Sequence, residues 1–238
     1  MPVVKEWNLE LNADHILRAQ GADPAAIRVR KPGLVEIAEW ALREGMPLME
    51  PVVLFQEIKV KGFKHERLEL ENPDHPEIRR SLTGSLIAQH MGPAEKITVL
   101  VCTIGETLEN IAAELMTSDP LLGWAMDGLG SAATESLATA ACNQIEAAAA
   151  EDGKETTLPL SPGMIGWPVD RGQEQIFALL GDSAAQIGVK INSSSMMTPR
   201  KSLSMVLGIG SKVGNTGRTC DYCSVSATCK YQNHYEHQ

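Results

Sequence analysis

SPGMIGWPVDRGQEQIFALLGDSAAQIGVKINSSSMMTPRKSLSMVLGIG, residues 161–210, is the stretch whose reading decides the fold. Its opening, Ser161-Pro162-Gly163-Met164-Ile165-Gly166-Trp167-Pro168, holds too much glycine and proline for a regular element and reads as a loop. Asp170 stands where it can cap a helix, with Gln173 three residues on as the second half of a capping box. Ile176, Phe177 and Leu180 give that helix an apolar face, and Gly181 ends it. Gly188-Val189-Lys190-Ile191-Asn192 alternates like a strand with one buried face. Met196-Met197-Thr198-Pro199 is a loop, and residues 201–209 alternate again.

Working outward, Asp119-Pro120 is a cap followed by a proline, and it opens a long helix reaching about Ala150. The first half of that helix is small, with Gly123, Gly128, Gly130, Ser131, Ala132 and Ala133, so a neighbouring backbone or a flat ligand can come close. Glu135 projects from it. Before it, residues 97–102 read as a short buried strand, followed through Thr103-Ile104-Gly105 by a helix carrying Leu108, Ile111, Ala112 and Leu115. Ile78, Leu82, Leu86, Ile87 and Met91 space as one face of a helix starting after Pro76. Residues 52–60 and 63–70 are β-rich runs expected to pair around Gly62. Residues 1–50 read as helical. Asn12 or Asp14 opens a short helix closed by Gly21, Asp23-Pro24 starts another, and Val35, Ile37, Ala38, Ala41 and Leu42 stripe a third that ends at Gly45.

A chain of 238 residues with 43% hydrophobic and 21% charged residues can bury a full core as an ordinary globular protein. Its net charge of −9 argues against nucleic-acid binding, which needs a basic footprint. The N-terminus has no apolar signal core and no run approaches the roughly 18 residues of a membrane span, so a cytoplasmic location and no membrane partner are expected. Gly208-x-Gly210-x3-Gly214 lacks the strand–turn–helix setting of a dinucleotide fingerprint. His15, His65, His75 and His90 are scattered beside charges and read as surface residues.

The sharpest chemical signal lies in the tail. After a Gly/Ser/Asn linker over residues 208–217, Cys220, Cys223 and Cys229 form C-x2-C-x5-C, a spacing that can aim three thiolates at one metal. The total of five cysteines, with Cys102 and Cys142 far upstream, makes a poor disulfide framework. Three thiolates suit a [4Fe-4S] cluster with a fourth position open or filled by Cys102, Cys142 or a partner-chain residue. They equally suit zinc if His234 or His237 completes a Cys3His set.

Residues 161–210 resemble the activation (reactivation) domain of cobalamin-dependent methionine synthase. Pro162-Gly163, residues 176–180, Ile187-Gly188-Val189, Met197-Thr198-Pro199 and Ser202-Leu203-Ser204 fall in that family's order and spacing. The resemblance covers residues 95–210 well and the N-terminal part loosely. It implies an α+β fold: a mixed or antiparallel sheet packed by helices, one of them long, here with a C-terminal cysteine knuckle. It divides the chain into an N-terminal helical and hairpin region (1–92), an activation-domain-like core (93–210) and a cysteine tail (211–238).

The resemblance also implies a function, that of an accessory protein of corrinoid-dependent methyl transfer. Such a protein docks on a corrinoid protein or cobalamin-dependent methyltransferase and supports reductive reactivation of the partner's cobalamin; joined to it, the cysteine tail is expected to act as an iron–sulfur carrier. Homo-oligomerisation stays open. Glu135 is carried over by position; with it the expected cofactor-binding residues are Gly163, Met164, Trp167 and Met197, with Met196 beside them, as a corrinoid-facing surface. The tail's own spacing makes Cys220, Cys223 and Cys229 the expected metal ligands. One departure bears on the ligand. The family's arginine before Pro-Gly, which grips the carboxylate of S-adenosylmethionine, is replaced by Pro159, which argues against that ligand. The alternatives are a methyltransferase using S-adenosylmethionine or a methylcorrinoid, and a zinc-stabilised binding module without redox activity.

Overall fold

The structure, a computed structural model, describes residues 2–72, 77–214 and 217–228. In chain order the strands are β1 (Val3–Val4), β2 (Val52–Lys64), β3 (Arg67–Leu70), β4 (Arg80–Thr83), β5 (Lys96–Thr103), β6 (Glu155–Thr156), β7 (Lys190–Ile191), β8 (Met197–Thr198) and β9 (Ser202–Gly210). The helices are α1 (Ala13–Ala19), α2 (Pro24–Arg30), α3 (Gly33–Gly45), α4 (Ser85–Met91), α5 (Thr107–Ser118), α6 (Pro120–Glu151), α7 (Val169–Leu180) and α8 (Ser183–Gln186).

The sheet runs in the order β4-β3-β2-β5-β9-β6, with β1 also paired to β2, and every one of these pairings is antiparallel. β5 is its axis, in register with β2 from Val52↔Thr103 to Lys59↔Lys96 and with β9 from Lys96↔Ile209 to Thr103↔Ser202. The β2–β5 ladder joins residues on either side of position 92.

Antiparallel sheets often leave one face to water, but this one is covered on both. Alternate residues of each strand therefore enter different cores. Val53, Phe55, Leu100, Cys102, Met205, Leu207 and Ile209 face α1, α3, α5 and α6. Leu54, Ile58, Ile97, Val99, Val101 and Val206 face α4, α7 and the 161–167 loop. The run Ile97-Thr98-Val99-Leu100-Val101-Cys102 is apolar almost throughout because it is wanted on both sides.

The small half of α6 serves packing. A Cβ on Gly123 would stand 2.6 Å from the Met116 backbone nitrogen, and one on Gly128 would stand 2.9 Å from the Gln20 side chain. The close neighbours there are α5 and α1.

Several expected boundaries move. The β-rich runs of residues 52–70 turn at His65-Glu66 rather than at Gly62. β2 continues to Lys64 with a register shift between Val60 and Gly62, and His65 takes the positive φ of 57° in the turn. The helix expected after Pro76 is split. Arg80–Thr83 pairs with β3 as a strand, with Leu82 opposite Leu68, and Gly84 separates it from the helix at Ser85. Tertiary pairing here overrides a helical spacing that Ile78, itself exposed, only completes by coincidence. α7 begins at Val169 behind Pro168, with no side-chain cap; Asp170 lies inside the first turn and accepts from the Arg171 N–H at 2.8 Å. Gly208 and Gly210 belong to β9 and not to a linker.

Among the described residues no helix is long and apolar enough to cross a membrane.

Candidate functional site

The 161–167 loop is seated on the N-terminal end of α4. At the N-terminal end, the Leu86 N–H and the Ser85 hydroxyl both point to the Gly166 carbonyl, at 3.5 Å each. A Cβ on Gly84 would come within 2.7 Å of that same oxygen, so Gly84, at φ 155°, permits the approach. Within the loop, the Gly163 N–H donates to the Trp167 carbonyl at 2.8 Å and the Trp167 N–H to the Met164 carbonyl at 2.9 Å. Trp167 is 0% exposed; its indole N–H donates to Gln175 Oε1 at 3.3 Å, and that oxygen also accepts from the Thr83 N–H at 2.9 Å. Gln175 Nε2 donates to Thr83 Oγ1 at 2.7 Å. One side chain of α7 thus locks the loop to the end of β4.

The cysteine segment folds back onto this loop. Its exit from β9 is pinned where the Ser211 N–H and hydroxyl both donate to Glu95 Oε1 at 2.8 Å. Lys154 Nζ holds the other oxygen at 3.0 Å. The Ser211 backbone and the Lys154 ammonium, each by hydrogen bond, and then the Ser211 hydroxyl hold the Glu95 carboxyl at about 2. Residues Thr219–Tyr222 make a 3-10 turn in which the Cys223 N–H donates to the Cys220 carbonyl at 3.3 Å. The Ile165 N–H then donates to the Tyr222 carbonyl at 2.7 Å, and Cys223 forms an antiparallel bridge with Met164. The Tyr222 ring stands edge-on to His90, at the other end of α4, with centroids 4.7 Å apart.

Both cysteines are free thiols and partly exposed. Cys229, His234 and His237 lie outside the described residues. Among the described residues no three His, Cys, Asp or Glu side chains gather as a metal site.

The residues expected to bind a cofactor divide between the two faces of the sheet. Met164, nearly buried, and Trp167 belong to the second core, with Met197 packed against it. Gly163 sits beside them at φ 101°. Glu135 is on α6, across the sheet, within electrostatic reach of Cys102 and Cys142. Burial pushes the Glu135 carboxyl up. Burial, chiefly, also pushes both thiols to about 12. Cys102 and Cys142 are therefore core thiols, with Cys142 Sγ 3.4 Å from Met205 Sδ, on the opposite face from Cys220 and Cys223. Both lie in the first core, away from the described cysteines of the tail.

Lys201 stands just before β9, at one end of the sheet. There Lys201 Nζ reaches Asp127 Oδ1 and Ser131 Oγ at 2.8 Å each, over the gap left by Gly130. Asp127, Ser131 and Glu135 follow one another at helical spacing on α6.

Sequence reasoning passed over Gln175 and the packing of Tyr222, and it placed His90 on the surface, where the structure buries it. His90 is 7% exposed, its Nε2 has no hydrogen-bond partner among the described residues, and its burial lowers its pKa. His90 alone had a readable signal: it sits at i+4 and i+3 from the buried Leu86 and Ile87.

Neither a protein-family model nor a curated protein matches the sequence. Among solved structures the chain is similar to the MetH reactivation domain, in a crystal structure bound to AdoHcy. The identity is 12%, the match covers 92% of this chain and 81% of that one, and the TM-score is 0.65. The curled antiparallel sheet with one long helix is thus the fold of the MetH reactivation domain.

Proposed function

We propose that this protein is an accessory factor of corrinoid-dependent methyl transfer, which docks on a corrinoid protein and supports reductive reactivation of its cobalamin. The observation that carries the reading is the likeness to the MetH reactivation domain over 92% of the chain. The cysteine tail adds the second part. Cys220 and Cys223 flank a tight turn, are free and partly exposed, and so fit a thiolate-bound metal, with Cys229 as third ligand. An iron–sulfur cluster on these thiolates supplies one electron at low potential. The chain's own contribution is placement, because Tyr222 and Cys223 hold the turn against Met164 and Ile165. Ile165, 59% exposed, is then the apolar side chain of the loop offered to a partner, in place of the buried Met164 and Trp167.

A methyltransferase using S-adenosylmethionine is the weaker reading. Pro159 cannot grip a carboxylate, and Glu135 lies across the sheet from the Pro-Gly loop.

The test is purification without oxygen followed by iron, sulfide and zinc analysis. About four irons and four sulfides per chain are expected, with reduction of a cob(II)alamin-loaded corrinoid protein on mixing. One zinc and no iron would remove the electron-carrier role and leave a zinc-stabilised docking module.

A further inference from the structure

Tyr222, between Cys220 and Cys223, is the point at which the cysteine segment meets the body of the protein. Its ring packs on the second core and stands edge-on to His90 at an interplanar angle of 89°. Gln89 Nε2 reaches its hydroxyl at 3.5 Å, its carbonyl accepts from the Ile165 N–H, and its successor bridges to Met164. Gly217 passes so close that a Cβ there would stand 3.3 Å from the Tyr222 ring. His90 supplies the counterpart. It is 7% exposed, its Nε2 has no hydrogen-bond partner among the described residues, and so it serves Tyr222 as an aromatic wall rather than as a polar group.

Four-residue and three-residue 3-10 turns, as at Thr219–Tyr222 and Ser226–Thr228, have no core of their own to fix their position. A metal held by such a segment would sit on a tether at a variable distance from anything docked on the body. An anchor is needed between the two cysteines, and Tyr222 is the side chain that reaches the core from there.

We propose that Tyr222, seated on His90, is a positioning residue that joins the cysteine turn and the 161–167 loop into one composite site. A partner that contacts Ile165 then meets the metal centre beside it, with Val225, 57% exposed, on the same segment. This rests on the reading that Cys220, Cys223 and Cys229 hold a metal.

The test uses the full chain, purified anaerobically, with Tyr222→Ala, Tyr222→Phe and His90→Ala. Metal per chain and amide exchange at Ile165 are measured on each. Tyr222→Ala is expected to keep its metal while the Ile165 amide exchanges about tenfold faster, the scale of losing an edge-to-face ring pair. His90→Ala should speed the same amide without altering the tail, and Tyr222→Phe, which keeps the ring, should retain protection. Unchanged Ile165 exchange in both alanine variants would overturn the anchor, as would a loss in Tyr222→Phe equal to that in Tyr222→Ala. A wild-type protein that carries no metal overturns the metal reading instead, and exchange at Ile165 still reports on the anchor separately.

Discussion

Replacing Gln175 with alanine isolates what holds the 161–167 loop. The substitution removes the acceptor of the Thr83 N–H (2.9 Å) and of the Trp167 indole N–H (3.3 Å), and the donor to Thr83 Oγ1 (2.7 Å). A buried polar group left without a partner costs about 1–3 kcal/mol. Thr83 and Gln175 are only half-buried, so water recovers part of the loss there, whereas Trp167 is sealed from solvent. The expected loss is about 2 kcal/mol, or about 4–8 °C in Tm for a chain of this size. Urea unfolding followed by tryptophan fluorescence and far-ultraviolet circular dichroism should show a lower midpoint at unchanged slope. Gln175→Glu provides the control at neutral pH. Its carboxylate still accepts from both N–H groups, and the Thr83 hydroxyl can turn to donate. It should therefore lose less than half as much as alanine. A loss below about 0.5 kcal/mol in Gln175→Ala, the level of an ordinary surface change, would refute the clamp.

Glu135→Gln tests the buried carboxyl. Burial raises its folded pKa above the ordinary 4.5, so stability is full below that value and falls as pH rises through the folded pKa. The variant should therefore unfold at higher urea than wild type at pH 7.5, with the difference vanishing at pH 4. Cysteine accessibility should split by location. In metal-free protein, iodoacetamide labels Cys220 and Cys223, while Cys102 and Cys142, buried with thiols near 12, label only after unfolding, as peptide mapping by mass spectrometry would show. Gly208→Val forces a side chain to within 2.8 Å of Met91 Sδ and 3.1 Å of Thr157 Cγ2, and thermal melts should show a loss of about 1–3 kcal/mol.

Local chemistry was readable at most positions where a single residue decides a conformation, the missing Asp170 cap being the exception. Asn12 and Asp23 cap α1 and α2 as expected, and Asp119-Pro120 opens the 32-residue α6. Gly181 closes α7 in a positive-φ conformation. The departures within residues 52–83 share one cause, which is pairing between neighbouring strands. Residues 80–83 carry a helical spacing, yet the ladder to β3 claims them. Gly62 reads as a turn, yet β2 runs through it because β3 pairs on beyond the register shift.

The order of elements, the Pro-Gly loop and the cysteine spacing were determined by residues close together in the chain, through turn chemistry, capping and the reach of a short spacer. Those suffice to recognise the fold and to single out Cys220, Cys223 and Cys229 as candidate ligands for the proposed metal. Which face of the sheet each residue joins was decided only by tertiary structure. In a strand buried on both sides the apolar run is continuous, and nothing local distinguishes the face of Cys102 from that of Val101. For the same reason only the folded chain separates Glu135 from the Pro-Gly loop and brings Tyr222 onto His90, more than a hundred residues away in sequence.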